Sequence, residues 1–185
     1  MVRFDEAFSL LMPIKSRIRA IPGFPRQGVT FRDITTLLKD AAGFRLAIHK
    51  LINRYSGKKI HKVAAIESRG FIVGAPLAYA LGAGFVPVRK KGKLPAETIG
   101  CDYVSEYGTD RIEIHTDAVA QGERILLVDD LLATGGTAEA AYKLLCGTGC
   151  SVIECAFLVD LPSLGGRERL ERLGIKVFTL VEFND

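Results

Sequence analysis

The sequence predicts one α/β domain, built on an open, mostly parallel central sheet flanked by helices and carrying an N-terminal helical lobe. Three observations predict it. A chain of 185 residues that is 48% apolar can bury one sizeable core but is short for two domains. From Lys62 onward, short apolar runs alternate with helical or glycine-rich stretches, as buried parallel strands alternate with crossover helices. No internal repeat is present, and no linker is long enough to divide the chain.

Taken in order, Phe4, Ala7, Phe8, Leu11, Ile14 and Ile18 recur at three- and four-residue steps, which puts one apolar stripe on an N-terminal helix. Ile21-Pro22-Gly23 ends it, and a loop rich in Pro and Gly runs on through Asp33, polar at its edges but carrying Phe31. A second amphipathic helix presents Phe44, Ile48, Leu51, Ile52 and Tyr55 on one face. Strands are expected at 63–66, 85–88, 124–128, 152–159 and 177–180, with helices over 71–81 and 137–145. Segments 103–106 and 111–115 read as a hairpin on a long excursion, turning through Tyr107-Gly108-Thr109-Asp110.

Composition narrows the function classes. With 25 Lys and Arg against 21 Asp and Glu, the net charge is +4, which mildly favours anionic ligands without forming a basic tail for nucleic acid. Cys101, Cys146, Cys150 and Cys155 make no CxxC pair and lie far in sequence from His49, His61 and His115. A metal site built from protein side chains is therefore not expected, and reduced thiols in a cytoplasmic protein are. The uncharged stretch 71–88 approaches membrane-spanning length, but Pro76, Gly82, Gly84 and Pro87 interrupt it. It reads as a buried helix followed by a buried strand, with no membrane partner.

The strongest chemical signal runs from Ile125 to Thr137. Four apolar residues lead into Asp129 and Asp130, then through a Thr134-Gly135-Gly136-Thr137 turn into a helix. In open α/β sheets ligands bind beyond the carboxyl ends of the strands, so this segment belongs at the mouth of a site. The two glycines let the backbone approach an anion, and the free amides and helix dipole favour a phosphate. No Lys stands beside the hydroxyl residue as a Walker A loop requires, and the pattern is not GxGxxG. Carboxylates repel phosphates but accept hydrogen bonds from sugar hydroxyls. A ribose with a 5′-phosphate would therefore place hydroxyls and anion at the two ends of this loop. The plainer alternative is a strand-to-helix turn whose acids cap the helix.

Residue for residue, the segment resembles the phosphoribosyl-pyrophosphate motif of the type I phosphoribosyltransferases. The resemblance implies that family's fold, with an N-terminal hood over 1–40 and a flexible hairpin lid over 89–110. It also implies the family's reaction, in which a nitrogenous base displaces pyrophosphate from C1 of 5-phosphoribosyl-1-pyrophosphate through an oxocarbenium-like transition state. Mg²⁺ then travels mainly with the sugar pyrophosphate. By the same resemblance Asp129 and Asp130 bind the ribose hydroxyls, while Ala133, Thr134, Gly135, Gly136 and Thr137 hold the 5′-phosphate. Adjacent residues of a regular strand point to opposite faces, so both acids are expected to reach one sugar by the chain leaving the strand at this pair.

Further segments are similar, in order, to the adenine-specific members of that family: Gly28-Val29-Thr30-Phe31-Arg32-Asp33-Ile34, Glu67-Ser68-Arg69-Gly70-Phe71, Val88-Arg89-Lys90-Lys91-Gly92-Lys93-Leu94-Pro95 and Ser105-Glu106-Tyr107-Gly108. With the phosphate loop they cover nearly the whole chain. The implied substrates are adenine and the activated sugar, the implied products AMP and pyrophosphate, and the implied assembly a homodimer without nucleic acid. Arg89, Lys90 and Lys93 form a basic loop suited to a leaving pyrophosphate, or else a solvated face. Ser68 and Arg69 offer amides and a guanidinium to the same group. A non-proline cis peptide is expected at Glu67-Ser68 by the resemblance. The family often has Asp where Glu67 stands.

Phe31 is expected to stack on the purine, or else only to pack its lobe. Backbone groups at Thr30 and Arg32 are implied to read the amino group and N1 of adenine, and hypoxanthine reverses that donor and acceptor pattern. An apolar residue is often found where Thr30 stands, and a backbone contact survives that change. Glu106 is implied to approach purine N7 and Tyr107 to cover the phosphates; a surface charge on a hairpin is the alternative for Glu106. No GxSxG, metal-ligating His cluster or Cys–His pairing is visible, and displacement at an anomeric carbon needs none of them. Other readings are a type I transferase for another base, against which Phe31-Arg32-Asp33 argues, or a non-catalytic regulator on the same fold.

Overall fold

The computed structural model describes residues 13–105 and 108–184. The described strands are β1 (Arg19–Pro22), β2 (Thr30–Asp33), β3 (Lys62–Ile66), β4 (Gly84–Lys90), β5 (Thr98–Ser105), β6 (Gly108–His115), β7 (Arg124–Leu132), β8 (Ser151–Asp160) and β9 (Val177–Glu182). The α-helices are α1 (Thr35–Leu38), α2 (Ala41–Tyr55), α3 (Arg69–Leu81), α4 (Gly136–Cys146) and α5 (Gly166–Glu171). Seven strands form one sheet in the order β5-β6-β4-β3-β7-β8-β9. Strands β4, β3, β7, β8 and β9 run parallel, and the β5–β6 hairpin joins β4 antiparallel through Arg89 and Lys90.

The parallel strands are apolar through their middles because helices cover both faces. Val63, Ala65, Leu126 and Val128 pack with Leu51 of α2 and Val73 and Leu77 of α3. Ala64, Ile125, Leu127 and Phe157 pack with Ala141 and Leu145 of α4 on the other side. Helix α2 begins where the Asp40 carboxylate accepts a hydrogen bond from the Ala42 amide at 3.1 Å, a side-chain N-cap. Helix α3 runs through Pro76 and stops at Gly82, whose φ of 63° is left-handed. No helix of the described residues is long and apolar enough to cross a membrane.

The expected N-terminal helix is corrected where the structure describes it. Residues Phe4 to Leu11 of that stripe lie outside the described residues. Ile14–Arg17 forms a single 3₁₀ turn, and the chain then extends as β1, paired antiparallel with β2 from Arg19↔Asp33 to Pro22↔Thr30. Pro13 and Pro22 flank this stretch, and proline is a poor interior residue for a helix. The lobe over the sheet is therefore a two-stranded ribbon as well as helix. Short helix α5 and the 3₁₀ turn Pro162–Leu164 were also not expected.

Candidate active site

Strand β3 lies between β4 and β7, and its crossover helix α3 begins against β7 at Val128 and Asp129. The chain segments leaving the carboxyl ends of β3 and β7 thus face each other, a placement at which open α/β sheets bind ligands. One of these segments carries Glu67, Ser68 and Arg69. The end of β7 and the turn after it carry Asp129 through Thr137.

After β7 the chain passes Ala133 and Thr134 to Gly135, whose φ of 76° only glycine adopts without cost. Gly135 is the N-cap of α4, and no side chain caps that helix. Its first amides are left for an anion, with the helix dipole behind them. A Cβ on Gly136 would stand 3.2 Å from the Val104 carbonyl oxygen, so the hairpin stem lies against this helix end. A hollow of about 100 Å³ is lined by Asp129, Ala133, Thr134, Gly135, Gly136 and Thr137, with Leu131 and Phe157 among its walls.

Asp129 and Asp130 do not leave the strand, as β7 continues hydrogen-bonded to β8 through Leu132↔Asp160. The sequence expectation is corrected on that point. What changes is the facing. Leu126 and Val128 pack on the α2–α3 side and Ile125 and Leu127 on the α4 side, yet Leu131 joins the former and Leu132 the latter. Alternation slips by one across the acid pair, which frees the two carboxylates from strictly opposite faces.

The two acids have different surroundings. Asp130 is buried, and its Oδ2 accepts from Arg69 Nε at 2.5 Å. The Oδ1 of Asp129 accepts from the Asp130 amide at 2.9 Å. A Cβ on Gly70 would lie 2.9 Å from that same Oδ1, so only glycine lets α3 approach so closely. Burial, and then the neighbouring charge of Asp130, hold the Asp129 carboxyl well above the usual carboxylate range.

The expected cis peptide is present at Glu67-Ser68. Ser68 is exposed at the N-cap of α3. Arg69 is more than a third exposed and ion-paired here. Its guanidinium turns to the buried carboxylate of Asp130. The basic loop is likewise partly spoken for. Arg89 Nε meets Glu67 Oε2 at 2.6 Å, Arg89 Nη1 donates to the Lys93 carbonyl at 2.8 Å, and Lys90 Nζ meets Asp110 Oδ2 at 2.8 Å. Lys93 is exposed.

A cleft of about 790 Å³ joins the two halves of the site. Thr30, Phe31 and Arg32 of the ribbon line it together with Arg69, Ala133, Thr134 and Thr137. Phe24 stands edge-on to Phe31 with ring centroids 5.3 Å apart. The guanidinium of Arg32 lies 4.1 Å over the ring of Phe183, a cation–π contact that fixes the residue after Phe31. Sequence reasoning missed Phe24, Pro25, Arg26, Val29, Leu131 and Leu161, which complete the lining. Phe24, an aromatic in the same Pro- and Gly-rich loop as Phe31, was the available signal; Leu161 offered none. Glu106 and Tyr107, which stand between β5 and β6 in the sequence, lie outside the described residues. Among the described residues, no group of three or more His, Cys, Asp or Glu side chains could hold a metal ion.

The comparisons with known proteins agree with this geometry. A phosphoribosyl transferase domain model matches residues 33–180. The adenine phosphoribosyltransferase of Nitrosospira multiformis is 65% identical over 172 residues, covering 93% of this chain and 98% of that protein. The chain belongs to the adenine phosphoribosyltransferase family. The crystal structure of the family member from Thermoanaerobacter pseudethanolicus superposes with a TM-score of 0.87 at 52% identity, over 92% of this chain and 98% of that one. The Saccharomyces cerevisiae member, solved with an imino-altritol bisphosphate and adenine, gives 0.85 at 37% identity, over 95% and 99%. The fold is that of the type I phosphoribosyltransferases, and the chain is an enzyme of the pentosyltransferase class.

Proposed function

We propose that the cleft between the ribbon and the phosphate loop is where adenine meets 5-phosphoribosyl-1-pyrophosphate, giving AMP and pyrophosphate. One observation carries the reading: Thr30, Phe31 and Arg32, expected to read the base, line the same cavity as Ala133, Thr134 and Thr137 of the loop expected to hold the 5′-phosphate. Phe31 stacks on the purine, and the backbone at Thr30 and Arg32 reads its edge. Ala133 to Thr137 seat the 5′-phosphate with amides and two threonine hydroxyls. Asp129 and Asp130 accept from the ribose hydroxyls, with the substrate displacing Arg69 from Asp130.

In the reaction the bond from C1 to the pyrophosphate oxygen breaks with its electron pair leaving on pyrophosphate, N9 of adenine bonds to C1, and the proton that the base gives up passes to the departing pyrophosphate or to solvent. The chain's task is to hold base and sugar in line and to exclude water as positive charge grows on the sugar. Arg69, Ser68, Arg89, Lys90 and Lys93 are assigned to the departing pyrophosphate. Glu106 is assigned to purine N7 and Tyr107 to the phosphates, both by resemblance to the family. Mg²⁺ fits the hard oxygen donors gathered here, and it is assigned to the substrate's own phosphates and hydroxyls, beside Asp129 and Asp130. When bound, it supplies charge neutralisation of the leaving group. A homodimer working in the cytoplasm completes the reading, supported by the same resemblance.

The test is to incubate the protein with the activated sugar, Mg²⁺ and adenine, hypoxanthine, guanine or orotate in turn. AMP from adenine alone is the expected outcome. Conversion of another base with adenine left untouched overturns the specificity, and no nucleotide from any base overturns the activity.

A further inference from the structure

Behind the phosphate loop stands a residue that none of the assignments above uses. Gly166 opens helix α5, directly after Gly165. Its φ lies outside the left-handed region, unlike the 72° of Gly165, so alanine could adopt the same backbone. Helix propensity would favour that alanine. Space forbids it: a Cβ on Gly166 would overlap the carbonyl oxygen of Ala133 and stand 3.0 Å from the Gly135 nitrogen. Both are backbone atoms of the loop, so no side chain can swing aside. The approach is reciprocal, as a Cβ on Gly135 would meet the Gly166 carbonyl oxygen at 3.0 Å. By contrast, a Cβ on Gly165 would meet nothing within 4 Å. One turn along α5, Arg169 pairs with Glu139 of α4 and holds the two helices together.

We infer that Gly166 is a positioning residue for the sugar 5′-phosphate, acting through backbone contact as the rear wall of the loop. The inference rests on the loop assignment made above. Helix α5 sets where the Ala133 carbonyl and the Gly135 amide sit, and any side chain at 166 displaces them.

Calorimetric titration with ribose 5-phosphate and, separately, inorganic pyrophosphate tests it, alongside thermal melts. Gly166→Ala is expected to weaken ribose 5-phosphate by about tenfold or more while pyrophosphate binding is unchanged. Gly165→Ala, strained in backbone but unobstructed, is expected to melt earlier yet keep its ribose 5-phosphate affinity within about twofold. Wild-type affinity in Gly166→Ala overturns the inference, as does loss of both ligands in proportion to lost thermal stability. If Gly166→Ala does not fold, Arg169→Ala decides: it is expected to bind ribose 5-phosphate several-fold more weakly, and unchanged binding overturns the proposal. A Thr134→Val/Thr137→Val double variant separates the two claims. If it binds ribose 5-phosphate as the wild type does, the loop assignment falls and the inference with it. If it loses the ligand while Gly166→Ala keeps it, only the inference falls.

Discussion

Asp129 stands half-buried next to a second, buried carboxylate, and that placement sets stability against function. Its carboxyl titrates above the ordinary range, so the folded state holds that proton more tightly than the unfolded chain does. Stability from this group is present below the unfolded pKa and lost as pH rises through the folded one. Asp129→Asn removes the cost of ionisation, and at neutral pH its melting temperature is expected to rise by about 2–4 °C per kcal/mol recovered. The same change removes a charged acceptor for a ribose hydroxyl. With about 1.5–3 kcal/mol for such a bond, kcat/KM for the activated sugar should fall roughly 10- to 150-fold. A variant that melts lower, or that keeps full activity, contradicts the assignment. At the other end of the cleft, Phe31→Ala should cost about 1–3 kcal/mol of adenine binding and leave ribose 5-phosphate titrations unaltered. Both residues were legible in the sequence because their chemistry is local: an acid pair before a glycine turn, and an aromatic in a polar loop. The turn of Arg69 onto Asp130 was not, because it depends on which strand lies beside β3.

At the scale of elements, β1 and β2 show why the ribbon was missed and what holds it. Neither strand alternates between buried and exposed positions, and only Ile21 of β1 is even partly buried, so no period-two signal exists. The ribbon is closed instead by tertiary pairing: Arg19 Nη2 meets Asp33 Oδ2 at 2.5 Å, and the Thr35 amide donates to Asp33 Oδ1 at 2.9 Å. These bonds lower the Asp33 pKa from 3.8 to about 2. A lowered acid contributes stability above its unfolded pKa and loses it as pH falls through the folded one, so the window runs from about pH 4 down to 2. Arg19 is more than half exposed, which limits the pair to about 1 kcal/mol or less. Arg19→Ala is therefore expected to flatten the stability profile in that window and to raise KM for adenine more than KM for the activated sugar. An equal rise in both would mean that the ribbon does not carry the base site. Helices α2, α3 and α4 were legible because each buries a continuous stripe against the sheet. Helix α5 was not, since it has six residues and buries only Gly166 and Leu170, too few to establish a period.

Across the whole molecule, the parallel sheet brings residues a hundred positions apart to one cleft, and the last strand fastens the base-reading ribbon to it. Phe183 follows β9 and is nearly buried, and its amide donates to the Asp160 carbonyl at 3.0 Å. Its ring is met by Arg32 at 4.1 Å and by Lys15 at 4.8 Å. The C-terminal strand is thus tied to the segment that carries Phe31, an arrangement no local pattern in the sequence could reveal. Phe183→Ala removes both the packing and the ring, and Phe→Ala at a buried site costs about 3–5 kcal/mol. Phe183→Leu keeps most of the buried area and removes only the two cation–π contacts, each worth about 0.5–2 kcal/mol. Steady-state kinetics on the leucine variant separate packing from aiming. If the ring aims the ribbon, KM for adenine rises several-fold while KM for the activated sugar holds and the fold remains intact. If both constants stay at the wild-type value, Phe183 is a packing residue, and the ribbon is positioned by its other contacts, the Arg19–Asp33 pair and the Thr36 hydroxyl among them.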